Sequence, residues 1–138
     1  MNFFESIQES LSKNSDGNRV TDLFKKCNQL MEESEEEYKL FISENPDDYI
    51  TSSPQNLSDY YIILLNYHFH NEDDNEVQNY LLKSARILES LKADEQLNML
   101  YMRTASSYQM VQEFSKSLHY YQIVRKCIEQ TNNESHLS

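Results

Sequence analysis

The second half of the chain repeats itself at an interval of about 40 residues, and this period restricts the possible folds more than any other feature. When the sequence is displaced by this interval, large, small and aromatic positions coincide: Tyr61 with Tyr101, Leu64 with Thr104, Leu65 with Ala105, His68 with Tyr108, Leu81 with Tyr121 and Ser84 with Val124. A fixed period in this range is the signature of stacked supersecondary units. With one glycine and two prolines in 138 residues, the chain lacks the turn residues that β-architectures need. The period therefore predicts an all-α fold built from stacked helical hairpins.

Four amphipathic segments account for the two repeats. "NLSDYYIILLNYHF", with Asn56 or Ser58 able to cap it, and "VQNYLLKSARILESLK" are joined by the acidic turn "HNEDDNE". "ADEQLNMLYMRTASSYQMV" and "EFSKSLHYYQIVRKCIEQ" repeat that order of helix, short turn and helix. Apolar residues at three- and four-residue intervals are typical of helices with one buried face. The pattern predicts two hairpins over residues 53–131, and the polar "TNNESHLS" predicts a frayed tail over 132–138.

An N-terminal helical segment is predicted over residues 1–52. Phe3, Phe4, Ile7 and Leu11 share a helical face, and "NSDGN" then interrupts the pattern before a second helix from Val20. The acidic run "EESEEE" is followed at once by apolar residues, which indicates a solvated helical face or a helix–helix junction. The proline-containing stretch "SENPDDYITSSPQN" predicts that helix stops near residue 44 and resumes after Pro54.

The second repeat resembles the tetratricopeptide pattern of large, small and aromatic positions. The matching residues are Tyr101, Thr104, Ala105, Tyr108, Phe114, Ser117, Tyr121 and Val124. The spacing has a packing reason, because small residues such as Ala105 and Ser117 let paired helices approach while aromatic rings fill the gaps around them. Tetratricopeptide-like hairpins preceded by a short helical segment are the expected architecture.

A more specific resemblance lies in "DYYIILLNYHF", "YLLKSARILESL" and "LYMRTASSYQMVQEFSKSLHYYQIVRKCIEQ". Preceded by an acidic helical segment, they resemble the N-terminal third of the Rap proteins, peptide-controlled regulators of response regulators in low-G+C Gram-positive bacteria. The resemblance implies an N-terminal helical bundle and first repeats that grip a response regulator. Some Rap proteins accelerate loss of its aspartyl phosphate, and others block its DNA-binding domain.

Two departures from that family bear on activity. Its dephosphorylating members place a glutamine in the third N-terminal helix, whereas the corresponding stretch here, "YKLFISENPDDY", contains none. The later repeats, which in the family form the pocket for a short secreted peptide, are absent. The resemblance therefore implies a regulator that binds a protein without catalysis.

The charge of the chain favours a protein partner. The formal net charge is −11 and the isoelectric point about 4.7, so a nucleic acid or an anionic membrane surface would be repelled, whereas a basic protein surface or peptide would be attracted. The N-terminus lacks a basic region and a long apolar core, and no apolar run reaches the length of a membrane span, so we expect a cytoplasmic protein. Cys27 and Cys127 fit neither a zinc nor a redox spacing.

No motif predicts an enzyme, a metal site or a bound cofactor. His68 and His70 are two residues apart and would not face one another on a helix. Gly17 is the single glycine, so a phosphate-binding glycine loop is excluded. The hypothesis is a non-catalytic regulator that sequesters a bacterial signalling protein such as a response regulator or transcription factor. A homo-oligomeric scaffold is the alternative, since uncapped repeat ends favour self-association.

Candidate partner-binding residues follow from this hypothesis. They combine acidic and aromatic side chains at the N-terminal junction with surplus tyrosines of the first hairpin: Glu35, Glu36, Tyr38, Phe41, Tyr60 and Tyr67. Tyrosine is favoured at interfaces because it buries a large area while keeping a polar tip. A homodimer contact would use the same properties, so the sequence leaves both readings open for the tyrosines.

Overall fold

The computed structural model describes residues 2–11 and 16–137, with side chains described as far as residue 130. The helices are α1 (Phe3–Glu9), α2 (Gly17–Glu33), α3 (Glu35–Ser43), α4 (Asp48–Thr51), α5 (Pro54–His70), α6 (Asp74–Ser90), α7 (Asp94–Met110) and α8 (Phe114–Leu137). The described residues contain no strand. The predicted all-α fold is confirmed.

The period of the sequence repeat reappears in the helix boundaries. Helices α5 and α7 begin at Pro54 and Asp94, and helices α6 and α8 begin at Asp74 and Phe114, so each pair is displaced by the same interval as the repeat. The closest packing is between α5 and α6 and between α7 and α8. These are the two predicted hairpins.

The three turns between these helices share one backbone conformation. Each places a non-glycine residue at positive φ: Glu72 at 58°, Lys92 at 56° and Gln112 at 64°. In each turn the following residue donates its N–H to a carbonyl five residues back, as from Ala93 to Leu88 at 2.9 Å. This is the Schellman arrangement, which satisfies the last carbonyls of the helix. The repeat is therefore regular in its turns as well as in its helices.

Helix α2 lies across both hairpins. It packs against α5 and against α7, and its buried residues include Val20, Leu23, Phe24 and Cys27. Helix α3 packs against α2 and α5, and helix α4 packs against α5. Helix α2 thus covers one face of both α5 and α7, and it connects the two hairpins.

Gly17 begins a helix, although the sequence predicted it as part of an interruption. The side chain of Asp16 caps α2 by accepting the N–H of Asn18 at 2.9 Å. A Cβ on Gly17 would lie 3.2 Å from the carbonyl oxygen of Glu95 in α7. The start of α2 passes close to the backbone of α7, so a side chain at this position would require a shift of a few tenths of an ångström.

Three other boundaries differ from the sequence prediction. Ser53 caps α5 and Pro54 occupies its first turn, so the predicted caps Asn56 and Ser58 lie inside the helix. The additional helix α4, capped by Asp47, interrupts the stretch predicted as non-helical. The backbone of α8 remains helical to Leu137, beyond the predicted boundary at residue 131.

Candidate protein-binding surfaces

Helix α3 carries four of the six predicted contact residues, and the structure divides them into two groups. Glu35 and Glu36 lie exposed in the first turn of the helix. Tyr38 and Phe41 are buried, and so is Tyr60 of α5, whose ring lies 5.7 Å from that of Phe41. The prediction that these three rings contact a partner is corrected here, because their side chains are packed within the chain.

Tyr38 attaches α3 to the first hairpin. Its hydroxyl donates a hydrogen bond of 2.6 Å to the carbonyl oxygen of Ile63 in α5. Its ring lies 5.4 Å from the ring of Tyr67, which is half-buried. Burial raises the pKa of the Tyr38 hydroxyl, so the phenol stays protonated and can donate this bond. Of the predicted tyrosines, only Tyr67 keeps part of its surface open.

The sequence prediction missed Leu40, which is 62% exposed on α3. It borders a shallow groove between α1 and α3 that is also lined by Phe3, Glu37 and Glu44. Positions two apart on a helix differ by about 200° in direction, so the burial of Tyr38 directs Leu40 toward solvent. The sequence alone carried no signal for Leu40, because the burial of Tyr38 sets this helical phase.

The surface around Leu40 is strongly acidic. The segment 32–44 contains six glutamates and one lysine, Lys39. Each of these charged residues is exposed. We refer to Glu35, Glu36, Glu37 and Leu40 as the acidic α3 surface. Such a surface attracts a basic protein segment over a Debye length and offers one apolar side chain for contact at short range.

A buried ion pair joins the N-terminal segment to the first hairpin. The fully buried carboxylate of Asp59 accepts bonds from Arg19 through Nε at 3.2 Å and a terminal nitrogen at 2.5 Å. The side-chain amides of Gln8 and Gln55 add bonds of 3.3 and 3.0 Å. These donors occupy the lone pairs of the carboxylate, so its role is structural.

A second polar cluster joins the two hairpins. Tyr108 donates to Asp74 at 2.5 Å, Lys116 donates to Asp74 at 3.1 Å, and Gln78 bonds Tyr108 at 2.9 Å and Tyr120 at 2.6 Å. Partial burial raises the pKa of Asp74, but the bonds from Tyr108 and Lys116 outweigh it and hold that pKa below its ordinary value. The cluster uses residues of both hairpins and sets their relative position.

Cys27, His68 and His70 make contacts within the chain. Burial raises the pKa of Cys27 to about 12, so its thiol is protonated and unreactive at neutral pH. The ring of His68 lies 5.6 Å from that of Tyr80, whereas His70 Nε2 lies 2.9 Å from Asn28 Oδ1. Among the side chains that the structure describes, in residues 2–11 and 16–130, no three from His, Cys, Asp or Glu form a group that could hold a metal ion.

No protein-family model matches this sequence, and no match was found among curated proteins or solved structures. Within the part of the chain that the structure describes, no helix has both the length and the apolar character needed to cross a bilayer.

Proposed function

We propose that this protein is a non-catalytic regulator that binds a signalling protein through the acidic α3 surface. The observation that carries the proposal is the exposed Leu40 surrounded by glutamates on a helix that buried Tyr38 holds in place. A fixed helix presents its contact residues with little loss of conformational entropy on binding. The partner that fits is a protein segment with basic residues around an apolar one.

The resemblance to Rap proteins supports a response regulator or a transcription factor as this partner. The missing glutamine in α3 supports binding without dephosphorylation. Helix α2 packs on α5 and α7, so a partner cannot reach the face of those helices that α2 covers. This further favours the outer surface of α3 as the contact. The regulator would act by occupying a surface that its partner needs for its own signalling contacts.

A pull-down with the purified chain from a lysate of a low-G+C Gram-positive bacterium, read by mass spectrometry, tests the proposal. The test variant is Glu35→Lys combined with Glu36→Lys. Asp94→Lys with Glu95→Lys is the matched control, because that exposed acidic pair also lies in the first turn of a helix, α7. Recovery of a response regulator that is lost in the α3 variant and kept in the control supports the proposal. Equal recovery with both variants contradicts it.

The affinity for the recovered partner should depend on salt and on both parts of the surface. We expect the α3 charge reversal to weaken binding at least tenfold, about 1.4 kcal/mol, mainly through the association rate. Leu40→Ala should weaken binding without reducing stability, because the side chain is exposed. The half-life of the partner's aspartyl phosphate should be unchanged by the protein. A shortened half-life would replace the binding function with a catalytic one.

A further inference from the structure

A cleft of about 310 Å³ lies between the two hairpins, at the end of the molecule where α5 and α7 stop. The turn after α5 forms one side of it and the turn after α7 forms the other, and the structure describes both turns in full. Its volume is at the lower limit of the roughly 300–1,000 Å³ of ligand clefts, which suits a single side chain. We call it the hairpin cleft.

Two aromatic rings form much of the apolar part of the hairpin cleft. The rings of Phe69 and Tyr108 meet edge to face, with their centroids 5.2 Å apart. Phe69 is half-buried and Val111 is 55% exposed, so apolar surface is open to the cleft. Aromatic faces attract cations, and the attraction grows where water is partly excluded.

The chain's own Lys116 shows that the hairpin cleft stabilises a cation. Its ammonium nitrogen lies 5.5 Å from the centroid of the Tyr108 ring and donates a hydrogen bond of 3.1 Å to Asp74. The bond to Asp74, together with the charges of Asp74 and Glu113, outweighs the effect of burial and raises the pKa of Lys116. Lys116 is one ammonium group against four carboxylates in the lining, so an excess of negative charge remains.

Glu72 and Glu113 are the carboxylates best placed to receive a second cation. Asp74 is engaged by Lys116, and Asp73 uses its side chain to cap α6. Glu72 and Glu113 are exposed, one on each of the two turns that flank the cleft. A guanidinium group can pair with carboxylates through several N–H groups and also stack on an aromatic ring, which a compact ammonium group cannot do. The lining of the cleft therefore fits an arginine side chain.

We infer that the hairpin cleft binds an arginine side chain of a protein partner, with the guanidinium between Glu72 and Glu113 and the aliphatic stem against Phe69 and Val111. Charge complementarity selects this occupant, because an anionic side chain would be repelled by the excess of carboxylates. The carboxylates do not converge as metal ligands do, since the described side chains include no group of three that could hold a metal ion. The cleft uses no residue of the acidic α3 surface, so this inference does not rest on the proposed function.

An NMR titration of the full chain tests the site with a defined probe. The probe is a blocked pentapeptide with one arginine between alanine and glycine residues, and the control peptide carries citrulline, the uncharged analogue, in place of arginine. The backbone amide signals of Phe69, Val77, Tyr108 and Val111 should shift with the arginine peptide. One side chain makes few contacts, so saturation is expected with a dissociation constant on the order of 1–10 mM. The citrulline peptide should shift these signals far less.

Two double variants separate the hairpin cleft from the general acidity of the chain. Glu72→Gln with Glu113→Gln should weaken binding of the arginine peptide by about fivefold or more. Asp94→Asn with Glu95→Gln is the matched control, because it removes the same charge from an exposed pair at the start of α7. That pair lies about 24 Å along the helix from the end that borders the cleft, so the affinity should stay within about twofold of the wild type.

A variant that gains affinity tests the role of the resident cation. Lys116→Met removes the ammonium group that competes for Asp74, so the arginine peptide should bind about threefold more tightly. Both side chains of that ion pair are partly exposed, and the circular dichroism spectrum should be unchanged. An affinity that stays the same or falls, with the fold intact, would overturn the inference that the cleft recognises a cation.

Other outcomes of the titration would also overturn the inference. They are equal shifts with the citrulline peptide, equal weakening by the two double variants, and no saturation up to about 20 mM, twice the weakest expected dissociation constant. Methylguanidinium that binds as tightly as the peptide would make a small cation the occupant. Cleft signals that depend on the concentration of the chain alone would make a second copy the occupant. The pull-down for the proposed function uses variants in α3, so either test can fail while the other succeeds.

Discussion

At the scale of single residues, the burial of Asp59 beside Arg19 makes this ion pair important for stability. Replacing Asp59 with asparagine would leave the guanidinium, whose side chain is mostly buried, without its counter-charge. Breaking one partner of a buried pair costs about 3 kcal/mol or more. Urea denaturation should show that loss for Asp59→Asn.

The exposed pair between Arg125 and Glu129 is the control for that prediction. Its atoms approach to 3.1 Å, but both side chains are in solvent. Glu129→Gln should therefore change the free energy of unfolding by less than about 0.5 kcal/mol. Equal losses for the two variants would mean that the buried pair contributes no more than a surface one.

Some features of the candidate site could be predicted from the sequence and others could not. The run of glutamates in α3 predicted an exposed acidic face, and Glu35 and Glu36 are exposed. The burial of Tyr38 could not be predicted, because its hydroxyl partner is a backbone carbonyl 25 residues away. A tyrosine suits an interface and a core equally well, and only the tertiary contact decides between them.

At the scale of the elements, the turns between helices offer a way to raise the stability of the chain, because each holds a non-glycine residue at positive φ. Lys92 has a φ of 56°, a region that costs a residue with a Cβ about 1–2 kcal/mol. Lys92→Gly relieves this cost but adds entropy to the unfolded chain, so a net gain of about 0.5–1 kcal/mol is expected. Thermal denaturation should show a melting temperature higher by about 2–4 °C. Lys92→Ala, which keeps the Cβ, should show no gain, and an equal rise in both variants would assign the effect to the lysine side chain instead.

The contact between hairpins should depend on pH through Asp74. Its pKa in the folded chain lies below the ordinary value of 3.8, so its stabilising effect is complete above that value and is lost as the pH falls through the folded pKa. Asp74→Asn should therefore be less stable than the wild type at pH 7, and the difference should shrink as the pH falls below 3.8 toward 2. Urea denaturation at both values measures this difference. A gap that stays constant with pH would remove the charge of Asp74 as its cause.

The helices differ in how far the sequence could predict them. The period of the repeat predicted both hairpins, because a repeated pattern of large and small residues restricts the packing of paired helices. The predicted caps of α5 were wrong, because Ser53, directly before Pro54, caps the helix. The sequence could not single out Ser53, since several neighbouring polar residues are equally suitable caps. Helix α4 was missed because four residues give too short a pattern for periodicity to detect.

At the scale of the whole molecule, α2 changes the behaviour expected of a repeat protein. Hairpins that contact only their neighbours can unfold from their ends one unit at a time. Here α2 packs against α5 and α7 together, so separating either hairpin also uncovers part of α2. The sequence identified α2 as amphipathic, but its target is set by contacts far apart in the chain, which periodicity does not encode.

We therefore expect α2 to detach only when the whole chain unfolds. Its buried side chains Val20, Leu23, Phe24 and Cys27 would together lose on the order of 8 kcal/mol on exposure to water. That amount is comparable to the total stability of a domain of this size. Local opening of α2 should consequently be no easier than global unfolding.

Cys27 lies on the buried face of α2, so a thiol reagent can reach it only after α2 has separated from the hairpins. Burial also raises its pKa to about 12, which keeps the thiol unreactive in the folded chain. In a Cys127→Ser variant, which leaves Cys27 as the only thiol, labelling with a thiol reagent across a urea series should follow the loss of helical circular dichroism with the same midpoint. Labelling that begins at lower urea, while the helical signal is intact, would contradict the prediction. It would mean that α2 leaves the hairpins as an independent unit and exposes the face of α5 and α7 beneath it.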